Sequence, residues 1–159
     1  MNRLFPAVWI GALLLSGFSA PSAMAQSRMN DHDVAATMKN LKEDAKSFRS
    51  AFDHSVHKTS IRRTSQEKSA KSQVKTFEHQ THYLLENFKD KKQGGNELRS
   101  VLDSAQQIYG LLQAEGYDDT TIARWNKVTA DLDNLAQAYN LPTASSQSSQ
   151  SSPTTSQPN

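Results

Sequence analysis

VAATMKNLKEDAKSFRSAFDHS, residues 34 to 55, is the stretch whose reading decides the fold. Its apolar and small residues, Val34, Met38, Leu41, Ala45, Phe48, Phe52 and Ser55, follow one another in steps of 4, 3, 4, 3, 4 and 3. A repeat averaging 3.5 residues is that of a helix burying one narrow stripe, and no strand-like alternation competes with it. The same rhythm returns in Ala70, Val74, Phe77, Thr81, Leu84 and Phe88. It returns again in Leu98, Val101, Ala105, Ile108 and Leu112, and finally in Thr121, Trp125, Val128, Leu132, Leu135 and Tyr139. The spacing therefore predicts four amphipathic helices, over about 31–57, 65–90, 96–114 and 120–139.

Start and stop signals sit at the edges of these runs. Asn30 or Asp31 is placed to cap the first helix, and Thr64, three residues before Glu67, forms a capping-box pattern for the second. Asn96 is the expected cap of the third helix and Gly116 its left-handed stop. Asp119 or Thr120 would cap the fourth, which must end before Pro142. The links are short, so neighbouring helices run antiparallel and the fold class is all-α, an up-down four-helix bundle. Helices one and two are the longer pair. Their joined ends are expected to project as a hairpin with TSIRRTS, residues 59 to 65, at its tip.

Outside residues 31–141 the composition changes. Residues 1–25 carry Arg3, then an apolar run, then Ala23-Met24-Ala25, which is the order of a secretory signal peptide. Residues 26–30 make a short extension. Residues 142–159 are nearly all Ser, Thr, Gln and Pro and read as a flexible tail. There are no cysteines, which rules out disulfides, thiolate metal sites and a cysteine nucleophile. The expectation is a secreted or periplasmic protein with no transmembrane segment after cleavage, held together by its apolar core.

Charge narrows the partners. Without Arg3, the 18 Lys and Arg become 17 against 16 Asp and Glu, a balance that does not suggest nucleic acid. The distribution is uneven, however. Lys58, Arg62, Arg63, Lys68, Lys71 and Lys75 are opposed in their stretch only by Glu67. One reading makes these charges partners of the acidic second half of the domain. Another makes Arg62, Arg63, Lys68, Lys71 and Lys75 a contact for an anionic envelope surface.

Two HxxH pairs, His54/His57 and His79/His82, invite a metal reading. At about 100° per residue, His79, His82 and Glu86 fall about 140–200° from Phe77, and His54 and His57 fall similarly far from Val34. Both pairs therefore face away from the core, and a four-histidine site inside the bundle is disfavoured. What remains is a surface patch, His79, His82 and Glu86, able to hold Zn²⁺ or Cu²⁺ weakly. The sequence FEHQTH lacks the spacing of a zinc-enzyme helix. Asp118-Asp119 reads as a helix cap, and Asp131 and Asp133 fall about 240° and 80° from Trp125, on opposite flanks. Trp125 and Tyr139 read as core aromatics. No catalytic constellation and no cofactor are called for.

FRSAFDHS (48–55), VKTFEHQTHYL (74–84), VLDSAQQI (101–108) and RWNKVTADLDNLAQAY (124–139) together resemble an uncharacterised family of small secreted bacterial helical proteins. The resemblance implies export and a helical fold and carries no activity. His57 and the second histidine of each pair depart from the family's pattern. Asp53 resembles a recurring acidic position, expected to pair with a basic residue across an interface. The expected protein is thus a non-enzymatic structural or interaction module of the cell envelope. It would be a monomer or weak dimer whose partner is an envelope protein or polymer. The alternatives are divalent-metal binding through the surface histidines and electrostatic adhesion through residues 58–75.

Overall fold

Residues 29–143 are described in this computed structural model; the signal peptide expected over 1–25 and the tail beyond 143 lie outside the described residues. Four helices follow one another, α1 (Asp31–Ser55), α2 (Ser65–Lys91), α3 (Gly95–Ala114) and α4 (Asp119–Ala138), with a 3₁₀ turn at Val56–Lys58. No strand occurs among the described residues. Each helix packs on its neighbour in the chain and α4 returns to lie along α1, so the four close into an all-α bundle. The α1 helix makes the broadest contacts, with α4 and α2, while α3 and α4 meet least.

Every apolar seam position read from the 3.5-residue rhythm is buried except Tyr139, which is half-buried just past the end of α4. The polar seam residues Ser55, Thr81 and Thr121 are buried too. The Thr81 hydroxyl donates to the Glu78 carbonyl at 2.8 Å, so its burial leaves no orphan donor. At the centre, Trp125 of α4 lies between Phe48 of α1 and Phe77 of α2, with ring centroids 4.9 and 5.7 Å away. Phe52 continues this aromatic column and stacks on Tyr117 at 5.1 Å. Tilted aromatic pairs of this kind contribute about 0.5–1.5 kcal/mol each beyond their buried area. They tie three helices at one level.

The helix ends match the expected residues in part. Asn30 caps α1 by accepting the Asp33 N–H at 2.9 Å. Thr64 caps α2 by accepting the Glu67 N–H at 3.3 Å, and the Glu67 carboxylate reaches back to the N–H of Arg63 rather than of Thr64. The capping box is therefore closed one residue early. The Thr64 N–H is already donated to the Ile61 carbonyl at 3.1 Å, and the left-handed Arg63 supplies the next one. The cap of α3 is Gly94 and not Asn96. Gly94 is buried, and a Cβ there would meet the Tyr139 hydroxyl at 3.1 Å, Leu84 at 3.2 Å and Met38 at 3.2 Å. Glycine is kept by this close approach. The α4 cap is Asp118, whose Oδ1 accepts both the N–H and the hydroxyl of Thr121, at 2.9 and 2.7 Å.

Two further expectations are corrected. Gly116 does not stop α3 in a left-handed conformation; α3 ends at the extended Glu115, and the left-handed positions among the described residues are Arg63, Lys92 and Asn140. Nor does the link between α1 and α2 project as a free hairpin. Ile61 of TSIRRTS is buried, with 6% of its surface exposed, and Val56 is fully buried. The link is clasped to the α3–α4 link: Ser60 donates to Glu115 at 2.7 Å, Lys58 pairs with Asp118 at 3.7 Å, and the Asp118 N–H donates to Ser55 Oγ at 3.1 Å. Two buried apolar side chains and these polar contacts together fold the link back.

Candidate functional site

The clasped end gathers the basic stretch and sorts it into two groups. In one, Lys71 pairs with Glu67 at 2.9 Å and His57 lies 3.3 Å from the same carboxylate, while Lys58 is held by Asp118. Lys71 first, then the Arg63 N–H, holds the Glu67 carboxyl below the ordinary range for glutamate. Asp118 is likewise lowered, by its two bonds from Thr121. These charges are consumed in building the end of the bundle.

In the other group, Arg62, Arg63, Lys68 and Lys75 are exposed and make no ion pair among the described residues. Arg62 and Arg63 stand on the link. Lys68 and Lys75 are seven residues apart on α2, which at about 100° per residue brings them to one face. Of the five cations expected to meet an anionic surface, the fold leaves these four available and turns Lys71 inward to Glu67.

The histidines are separated. His54 borders a groove of about 740 Å³ between α1 and α4, beside Glu43, Lys46, Thr120 and Arg124. His57 faces the other way, toward Glu67 and Lys71, its ring 3.4 Å from the Lys71 amine. His79 and His82 are exposed on α2 and border a groove of about 300 Å³ with Lys42, Lys46 and Glu78. Glu86 is drawn to Lys89 at 3.0 Å, which lowers its pKa. Among the described residues no three His, Asp or Glu side chains converge as metal ligands would. The patch His79, His82 and Glu86 is thus a row along the outer side of α2, with its carboxylate already engaged.

Asp53 does not reach across an interface. It lies 3.8 Å from Arg49 one turn away on α1, and Arg49 in turn makes the interhelical pair with Glu78 of α2. The hydrogen bond to Glu78, more than any other contact, raises the pKa of Arg49.

Two features escaped the sequence reading. Asp131, expected only as a flank residue, is half-buried between α4 and α1, and its Oδ2 has no partner. Burial, and secondarily the charge of Asp44, pushes its carboxyl up to about 6. Burial also pushes the Tyr117 phenol up to about 12, its hydroxyl being without a partner. The second missed feature is Tyr83, 60% exposed on the outer face of α2. It was visible in principle, since an aromatic residue away from the seam breaks the amphipathic pattern. Tyr83 borders a groove of about 400 Å³ between α2 and α3, lined also by Thr76, His79, Gln80, Glu97 and Ser100.

No protein-family model, no curated protein and no solved structure matches this chain. No helix among the described residues is long and apolar enough to cross a membrane.

Proposed function

We propose that this protein is an exported, non-enzymatic interaction module of the cell envelope that adheres to anionic surfaces through the clasped end of its bundle. One observation carries the reading. Within a single basic stretch, Lys58 and Lys71 are spent on Asp118 and Glu67, while Arg62, Arg63, Lys68 and Lys75 stay exposed without a carboxylate. Unpaired cations spread from the α1–α2 link onto the adjoining flank of α2 raise the local potential even when the net charge is near zero, and so attract an extended anion. The near-balanced total charge supports adhesion over a small area rather than wrapping by a long polyanion.

Retention of the mature protein on an immobilised polyanion tests this. Retention is expected to weaken steeply with salt, because exposed charges are screened within about 8 Å at physiological ionic strength. Replacing Arg62, Arg63, Lys68 and Lys75 together by Gln should abolish it with the helical signal unchanged. A wild-type protein that flows through at low salt, or one whose retention ignores salt, refutes the proposal.

A further inference from the structure

The outer face of α2 carries more than charge. At about 100° per residue, Lys75, His79, His82 and Tyr83 all fall within about 60° of Lys68, and all five are exposed. The core side of the helix, marked by Ala70, Val74, Phe77, Leu84 and Phe88, lies opposite. Lys68 and Tyr83 are separated by about 22 Å along the helix. Cations thus occupy the start of this face and a phenol ring its middle. Further along, Glu86 is neutralised by Lys89. Asp90 lies beyond, about 10 Å past Tyr83, followed by the exposed Lys91 and Lys92.

We infer that this face lies on an anionic phospholipid bilayer, with Arg62, Arg63, Lys68 and Lys75 against the phosphate head groups and Tyr83 seated at the interface. The inference rests on the adhesion reading above and specifies its surface. Charge complementarity favours an anionic partner, and an exposed helix face some 22 Å long fits a flat sheet of charge. Tyrosine is the side chain whose ring and hydroxyl suit the boundary between hydrocarbon and water. An exposed ring on the same face as two lysines gives a bilayer something a purely ionic polymer cannot use. With no spanning helix among the described residues, the contact is one of lying on the surface.

The test is co-sedimentation of the mature full-length chain with two kinds of vesicle, pure phosphatidylcholine and phosphatidylcholine mixed with phosphatidylglycerol. Binding is expected only to the anionic vesicles. Each of Lys68→Gln and Lys75→Gln should weaken it about fivefold, the worth of one basic charge near such a surface. Tyr83→Ser should weaken vesicle binding several-fold and leave retention on an immobilised polyanion unchanged, a split that simple loss of folding cannot produce. Retention on the polyanion with no binding to anionic vesicles overturns the bilayer inference and spares the adhesion reading. So does a Tyr83→Ser protein that binds vesicles like wild type. Equal binding to both vesicle types overturns it as well, and failure on the polyanion and on both vesicles removes both readings together.

Discussion

Replacing Asp131 by Asn should stabilise the protein at neutral pH and do nothing in acid. The carboxyl sits half-buried between α4 and α1, with Oδ2 unpartnered and Asp44 nearby, and its pKa is raised from 3.8 to about 6. The folded state therefore holds this proton more tightly than the unfolded chain does. Below about pH 4 both states are protonated and the group is neutral in its effect. Between about pH 4 and 6 the unfolded chain gives up this proton while the fold still holds it, so stability falls across that window and the full cost is present above about 6. A shift of about two units corresponds to about 3 kcal/mol at most, and partial exposure reduces this to roughly 1–2 kcal/mol. Asn keeps the shape and cannot ionise. Urea unfolding followed by circular dichroism should give Asp131→Asn an advantage of about 1–2 kcal/mol near pH 7.5 that shrinks toward zero near pH 4. Asp44→Asn should show a smaller gain with the same pH dependence, since its charge is the lesser cause. An Asp131→Asn protein that is destabilised at neutral pH, or whose difference from wild type is the same at both, would refute the argument.

Other substitutions probe the remaining features. Gly94→Ala should cost about 1–2 kcal/mol in urea unfolding through overpacking against Tyr139, Leu84 and Met38. Adding Tyr139→Phe should recover part of that loss by removing the hydroxyl nearest the new methyl group. Phe48→Ala should cost about 3–5 kcal/mol by opening a cavity beside Trp125 and Phe52; a loss under about 1 kcal/mol would mean the aromatic column is not a core. Asp118→Ala should lose about 1 kcal/mol of capping stability near pH 7. Because the Asp118 pKa is lowered in the fold, its contribution is present above the ordinary 3.8 and fades as the pH falls through the lowered value, so the wild-type advantage should vanish in strong acid.

The bundle was legible because its seams are long and regular. Four runs of 4 and 3 steps leave little freedom about which side is inside, and even the polar seam members Ser55, Thr81 and Thr121 are buried where the rhythm puts them. What the rhythm cannot carry is the identity of the neighbouring helix. Asp131 reads as an ordinary flank residue until α1 places Asp44 and its own bulk beside it. Gly94, not Asn96, caps α3, and its need to be glycine comes from Tyr139, some 45 residues later. Ile61, one apolar residue among polar ones, gave no periodic signal, yet it draws the link down onto the bundle. The outward direction of His79 and His82 followed from angles along one helix, whereas the parting of His54 from His57 depended on where α4 and Glu67 lie.

The two ends of the described chain leave from one pole. Tyr139 at the close of α4 lies near enough to Asp31, at the start of α1, for that charge to raise its pKa. Arg62 and Arg63 stand at the other pole, among the clasped links. A label, bead or fused domain joined directly at residue 29 or 143 is thus moored on the far side from the arginines. Such a handle would present them outward from either of those two positions.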